Sequence, residues 1–323
     1  MKHLGAGNHK EPHLRRKGSR RRTRETMNQR PICDYENSDY QQTFWETGTR
    51  RYEDLCEARA IRRLMPAGGR LLLELGAGAG RNTGRYVGFD RIVLLDYSRT
   101  QLQQARQHLG DSDRYLYAAA DVYRIPFVSG LFGAATMIRT LHHLSDPPAA
   151  LREIRRILSP DAFFLLEYAN KRNLKSILRF LLRRQAWNPF SLESVEYLPL
   201  NFDFHPAAVR AWLAGSGFRI IDQATVSHFR ISLLKRTVPA RFLSFLDYLL
   251  GYTGKLWQLS PSVFVSMRTD EIGTRDAAGF FQCPACGSAD LPIAPASAPS
   301  LDCGNCGIRY PIRDGIYDFK DPL

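Results

Sequence analysis

Two sets of residues in this chain have types and spacings suited to chemistry. The first starts at Glu74-Leu75-Gly76-Ala77-Gly78-Ala79-Gly80, where an apolar run ends in glycines. Glycines let the backbone turn sharply and approach a ligand with no Cβ in the way. Asp96 follows about 20 residues past the first glycine, closing a second apolar run (RIVLLD), where a carboxylate can accept both hydroxyls of a ribose. Asp121, in AADVYRIPF, closes a third. A carboxylate there can accept from an adenine amino group, and Val122 offers a backbone N–H. Dinucleotide sites use a similar strand–turn–helix, but their fingerprint requires Gly or Ala at its sixth place. Counted from Gly76, that place holds Arg81. The set suits a neutral adenosine with no pyrophosphate cradle; the competing reading of each acid is a strand-end carboxylate capping the next helix.

The second set is Cys283-Pro-Ala-Cys286 and Cys303-Gly-Asn-Cys306, with 16 residues between the pairs. Two Cys-x-x-Cys knuckles at this spacing supply four thiolates for tetrahedral zinc, and four protein ligands leave no open position, so such a zinc is structural. Cys33 and Cys56 stand alone.

These residues need elements to position them. Apolar runs at 70–76, 91–96, 115–121, 132–139, 163–168, 219–226 and 262–268 read as strands. Amphipathic or capped stretches at 102–109, 147–158 and 205–217 read as helices, with Ser159-Pro160 stopping the second. The alternation begins after Pro66 and predicts an α/β fold: a Rossmann-like, mostly parallel seven-stranded sheet with helices on both faces, plus a small C-terminal β-rich zinc ribbon. The expected organisation is a disordered basic tail (1–30), a large domain (31–269) with helical insertions near 171–200 and 229–255, a linker (270–279) and the ribbon (280–323).

Composition sets outer bounds. The 323 residues are 44% hydrophobic and 24% charged, ordinary for a globular chain. Of the formal charge of +13, about +8 falls in the first 30 residues, a polar tail expected to be disordered. The expected role of the tail is solubilising, or it precedes a true start at Met27; a nucleic-acid or membrane arm is the alternative. No apolar run approaches the roughly 18 residues of a membrane span, and the N-terminus lacks a signal-peptide core, so a cytoplasmic location is expected.

The segments ELGAGAG, LLDYS, AADVYRIPF, IRTLHHLSDPPAALREIRRILSP and HPAAVRAWLAGSGF, in this order between residues 51 and 268, resemble class I S-adenosylmethionine-dependent methyltransferases, in particular the quinone-biosynthesis-like subgroup. The resemblance implies that Gly76, Gly78 and Gly80, with Ala77, pass under the methionine part of the cofactor, and that Glu74 orders the loop or reaches the methionine amino group. It implies that Asp96 holds the ribose, Tyr97 flanks the adenine, and Asp121 and Val122 read the adenine edge, with Arg139 completing the set.

Methyl transfer from a sulfonium is an in-line displacement, for which a protein supplies alignment and a dry pocket. An acceptor hydroxyl or acidic carbon also loses a proton, for which His is the usual base. His142 and His143 follow the fourth strand, and His205 lies near Asp203; the competing reading of His142-His143 is packing at a helix start. The acceptor pocket is expected among Tyr40, Phe44, Trp45, Arg51, Tyr52, Glu167, Asn170, Trp187, Asn201 and His205.

Residues 309–316 (RYPIRDGI) resemble the small zinc-ribbon activators that partner methyltransferases of tRNA and translation factors. The expected acceptor is a small or lipid-like molecule, and the basic amphipathic stretch 171–184 allows peripheral membrane contact. The alternative is RNA or a translation factor recruited through the ribbon.

Overall fold

The computed structural model describes residues 30–33, 36, 50–273 and 278–323. The basic tail up to residue 29, Tyr40, Phe44, Trp45 and the middle of the expected linker lie outside the described residues.

In chain order the elements are α1 (Arg51–Leu64), β1 (Gly69–Leu75), β2 (Phe89–Asp96), α2 (Arg99–Leu109), β3 (Tyr115–Ala119), β4 (Phe132–Met137), α3 (Pro147–Ile157), β5 (Leu158–Ala169), α4 (Leu174–Leu181), β6 (Val195–Leu198), β7 (Asn201–Asp203), α5 (Pro206–Gly215), β8 (Phe218–Val226), α6 (Ser232–Thr237), α7 (Ala240–Leu250), β9 (Ser262–Thr269), β10 (Ser300–Asp302), β11 (Arg309–Arg313) and β12 (Ile316–Asp318). Local chemistry accounts for several of the helix starts. Ser98 caps α2 by accepting from Gln101 N, and Asp146 caps α3 by accepting from Ala149 N, with proline in the first turn. The stop expected at Ser159-Pro160 falls two residues early, and the chain passes from α3 directly into β5.

The strands β1 and β2 are apolar without alternation because both of their faces are covered. Leu73, Leu75, Val93 and Leu95 enter one core with α3, while Leu72, Ile92 and Leu94 enter another with α1 and α2. Successive side chains of a strand point to opposite faces, so one apolar run serves both layers.

The sheet has ten strands, not the expected seven, in the order β10-β11-β12-β3-β2-β1-β4-β5-β9-β8. From β3 to β5 the pairing is parallel, and β9 runs antiparallel between β5 and β8. The extra three strands come from the C-terminal segment. Without them β3 would be an edge with unpaired N–H and C=O groups. β12 pairs with it in parallel, Ile316 beside Tyr117 and Asp318 beside Ala119.

Side chains follow the backbone across this junction. Phe281 is fully buried and stacks on Phe127 at 5.6 Å, with Tyr317 and Phe319 each 5.1 Å from it. Arg156 ties the junction, donating to Phe127 O at 2.7 Å and to Gln282 Oε1 at 2.6 Å. The cysteine-bearing segment thus shares the core of the large domain.

The segments expected as helical insertions are only partly helical. Within 171–200 the helix is confined to α4, and the β6–β7 hairpin begins within the same stretch. Within 229–255, α6 and α7 are divided at Pro239, whose ring cannot continue a helix.

Candidate active site

The first glycine loop is bent by its own backbone. Gly76 N and Ala77 N both donate to Leu95 O, at 2.8 and 3.1 Å, which folds the end of β1 over β2. Gly76 has φ of +67°, and a Cβ there would lie 2.0 Å from Thr140 Oγ1. Gly78 has φ of +53°, and a Cβ there would meet nothing nearer than Gln101 Oε1 at 4.0 Å, so its bare face opens into the cavity. Its N–H donates to Asp96 Oδ2 at 2.8 Å, while Ser98 N donates to Asp96 Oδ1 at 2.9 Å. One carboxylate therefore fixes the glycine loop and the start of α2 together. Burial pushes the Asp96 carboxyl above its usual range.

A pocket at the C-terminal ends of β1–β4 gathers most of the sequence candidates. Glu74, Gly76, Ala77, Gly78, Asp96, Tyr97, Asp121, Val122, Arg139 and His143 line it. This is the crevice where open α/β sheets bind ligands. Gly80 and His142 are not among its lining residues. Gly80 instead faces Ala105 and Leu109 of α2, where a Cβ would come within 3.0–3.2 Å of them, so its bareness serves helix packing. His205 stands apart at the N-terminus of α5, its Nδ1 accepting from Ala207 N at 3.1 Å.

The acids of the pocket differ in setting. Glu74 is buried, accepts from Thr83 Oγ1 at 2.6 Å, and is pushed up to about 7 by burial, which those contacts offset only in part. Asp121 accepts from Tyr123 N at 2.9 Å and is raised by burial. Glu57 of α1 is buried too, yet Arg139 and Arg81 overcome that burial and hold it at about 2. Arg81 Nη2 and Arg139 Nε each lie 2.6 Å from its carboxylate. Arg139, at φ of +56°, also donates its N–H to Glu167 Oε2 at 3.0 Å.

Several contributors escaped the sequence reading. Glu57 and Glu36 carry no local motif. Glu36 accepts from Arg99 N and Thr100 N at the start of α2, at 3.0 and 3.1 Å, a favourable place for a carboxylate. Lys320 arrives from the C-terminal segment, 3.2 Å from Glu36 and 4.8 Å from the centre of the Tyr97 ring. The helix that carries Glu57 did have a signal, since Tyr52, Cys56, Ala60, Ile61 and Leu64 fall at helical spacing before Pro66, but that pattern marks an amphipathic helix and does not single out Glu57.

The four cysteines converge. Cys283 Sγ lies 3.7 Å from Cys306 Sγ, Cys286 Sγ lies 3.7 Å from Cys303 Sγ, and all four sulfurs lie within 4.8 Å of one another. Zinc–sulfur bonds of about 2.3 Å in a tetrahedron put sulfurs about 3.8 Å apart. The two knuckles repeat one turn: Gly287 N donates to Cys283 O and Gly307 N to Cys303 O, with φ of +75° and +73° at the glycines. The cluster fits zinc.

The chain is similar to known methyltransferases. Residues 73–166 match the model of a methyltransferase domain. A demethylmenaquinone methyltransferase of Clavibacter sepedonicus is 23% identical over 202 residues, covering 58% of this chain and 81% of that one. Its counterpart in Chlamydia pneumoniae is 35% identical over 151 residues, covering 41% and 65%. Among solved structures, a chain of the complex between the Haloferax volcanii Trm112 methyltransferase activator and a methyltransferase superposes with a TM-score of 0.51 at 16% identity, covering 72% of this chain and 96% of that one, a likeness of fold. Among the described residues no helix is long and apolar enough to cross a membrane. The chain carries a methyltransferase domain and is an S-adenosylmethionine-dependent methyltransferase.

Proposed function

We infer that the protein methylates a small or lipid-like acceptor held beside His143, with the cofactor seated along Glu74, Gly76–Gly78, Asp96, Tyr97, Asp121 and Val122. The bare face of Gly78 and the paired acids Asp96 and Asp121 suit an adenosine carrying an amino acid tail. The bound cofactor supplies a methyl group already activated on its sulfonium. The protein's own part is alignment, exclusion of water and, for an acceptor hydroxyl or acidic carbon, removal of a proton.

The observation that carries this reading is the contact of His143 with the β6–β7 turn. Its Nδ1 lies 3.0 Å from Leu200 O. A carbonyl only accepts, so Nδ1 holds the proton and Nε2 is the basic nitrogen. Burial lowers the pKa of His143 and the Leu200 carbonyl opposes the shift. The ring is therefore neutral at physiological pH and able to take a proton. His142 is lowered further by burial, its Nδ1 has no hydrogen-bond partner among the described residues, and its ring lies 4.0 Å from that of His143. We assign it to packing against the base, and His205 to capping α5.

The same contact brings the chain's own hairpin over the acceptor side, which favours an enclosed small molecule over a folded macromolecule. The demethylmenaquinone methyltransferases among the relatives support that class. Cys283, Cys286, Cys303 and Cys306 would hold one structural zinc. The alternative, an RNA or translation-factor acceptor recruited by this module, has the Trm112-bound neighbour in its favour. Against it, the module's apolar residues Tyr310, Ile316, Tyr317 and Phe319 are buried within its own chain. The deciding experiment incubates pure protein with methyl-labelled cofactor and separated lipid, metabolite, RNA and protein fractions of cells. Label in lipid or metabolites supports the assignment. Label confined to RNA or protein overturns the acceptor class, and label in none of them overturns transfer.

A further inference from the structure

A short helix in a globular protein is usually held by burying its apolar face. α4 is held differently. Asn173 caps it, accepting from Ser176 N at 3.0 Å, and Leu174 N donates to Leu259 O at 2.8 Å. Asn170, just before it, donates to Gln258 O and Ser260 O at 2.9 and 2.8 Å. These polar bonds anchor the helix by its N-terminus and leave its apolar side uncovered. Leu174, Leu178 and Leu181 follow helical spacing along that side, and each is about half exposed or more, as is Leu182 just beyond. Ser176 is the one residue of α4 that is buried.

The anchoring segment is apolar and exposed as well: Leu256 is 80% and Trp257 60% accessible. Beyond α4, Phe190 packs on Phe180 at 6.3 Å and continues the apolar surface. Lys175, Arg179, Arg183 and Arg184 are all exposed around it, and none forms an ion pair among the described residues.

We propose that α4 and residues 256–259 form a docking face for an anionic lipid bilayer. Exposed leucines on one side of a helix, rimmed by unpaired cations, match an interface with acyl chains below and phosphate headgroups at the edge. Single-stranded RNA would need exposed planar rings in series for stacking, whereas most of the exposed apolar side chains here, Leu174, Leu178, Leu181, Leu182 and Leu256, are aliphatic, with Trp257 and Phe190 the exceptions. The face also has a route to the site: Lys171, just before α4, donates to Ser191 Oγ at 2.9 Å, and the β6–β7 hairpin beyond it reaches His143 through Leu200. This surface stands independently of which acceptor is methylated, because it is read by binding alone.

The test is flotation of the full chain with vesicles of phosphatidylcholine, with and without phosphatidylglycerol. Wild type should float with the anionic vesicles, less so as salt rises. Lys175→Gln/Arg179→Gln should weaken binding roughly 30-fold, at about 1 kcal/mol per cation. Leu178→Gln/Leu181→Gln should weaken it at least about tenfold, with cofactor affinity and urea midpoint unchanged as the control for folding. Failure of wild type to bind anionic vesicles overturns the proposal. So does unchanged flotation of the leucine variant, because the attraction would then belong to cations elsewhere in the chain. Binding of single-stranded RNA that the same leucine variant abolishes, with vesicle binding intact, would also overturn it.

Discussion

Replacing Glu74 by Gln should make the protein more stable and a worse binder of its cofactor. Glu74 is buried against Thr83 and Tyr86, and its pKa is raised from the ordinary 4.5 to about 7. Each unit is about 1.4 kcal/mol. The folded state holds this proton more tightly than the unfolded chain, so the group costs no stability below about pH 4.5 and an increasing amount as pH rises to about 7. Above that, ionised Glu74 costs about 3 kcal/mol. Gln has the same shape, can still accept from Thr83 Oγ1, and does not ionise. Glu74→Gln should therefore raise unfolding free energy at about pH 8 by up to about 3 kcal/mol and remove the decline expected of wild type from this group between pH 4.5 and 7. Urea unfolding across that range measures both. On the proposed seating of the cofactor, with the Glu74 carboxylate reaching the methionine ammonium, affinity should fall about tenfold or more, since a hydrogen bond to a charged partner is worth about 1.5–3 kcal/mol. Parallel pH profiles for the two proteins, or a variant less stable at high pH, would refute the reasoning.

Further predictions follow from the junctions of the site. Cys283→Ser/Cys306→Ser should remove one bound zinc per chain, measured by metal analysis. It should also lower the melting temperature of the whole chain by roughly 10 °C, because uncovering Phe281 alone is worth about 3–5 kcal/mol. Lys320→Gln should weaken cofactor binding about two- to fivefold in calorimetry, the worth of one cation over the Tyr97 ring. His143→Ala should lower kcat about 100-fold on an acceptor that loses a proton, with cofactor affinity little changed; a loss confined to KM would contradict the role of base.

What could be read from the sequence was local. Gly76, Gly78, Asp96 and Asp121 lie at or just past the C-terminal ends of β1, β2 and β3, where the backbone course is set within a few residues, so their type and spacing lead directly to the pocket. The cysteine knuckles are equally local, each closed by one backbone turn at Gly287 or Gly307. Contributions that cross the chain were not readable. Glu57 of α1 meets Arg139, which lies beyond β4, and Lys320 reaches Tyr97 from the far end of the sequence. The C-terminal segment was expected to be β-rich, but its joining the main sheet was hidden because pairing of β12 with the β3 edge depends on the vacancy of that edge, which no run of residues encodes. The β6–β7 hairpin was hidden by its length, four residues and three, beside a stretch of stronger helical pattern.

The central claim is that this pocket binds S-adenosylmethionine through Asp96. Calorimetric titration of wild type and Asp96→Ala tests it most directly. Wild type should bind one cofactor per chain and show no heat with NAD. The variant should bind about 1.5–3 kcal/mol more weakly, the worth of hydrogen bonds to a charged acceptor. Binding of NAD by wild type, or equal cofactor affinity in the two proteins, would contradict the account.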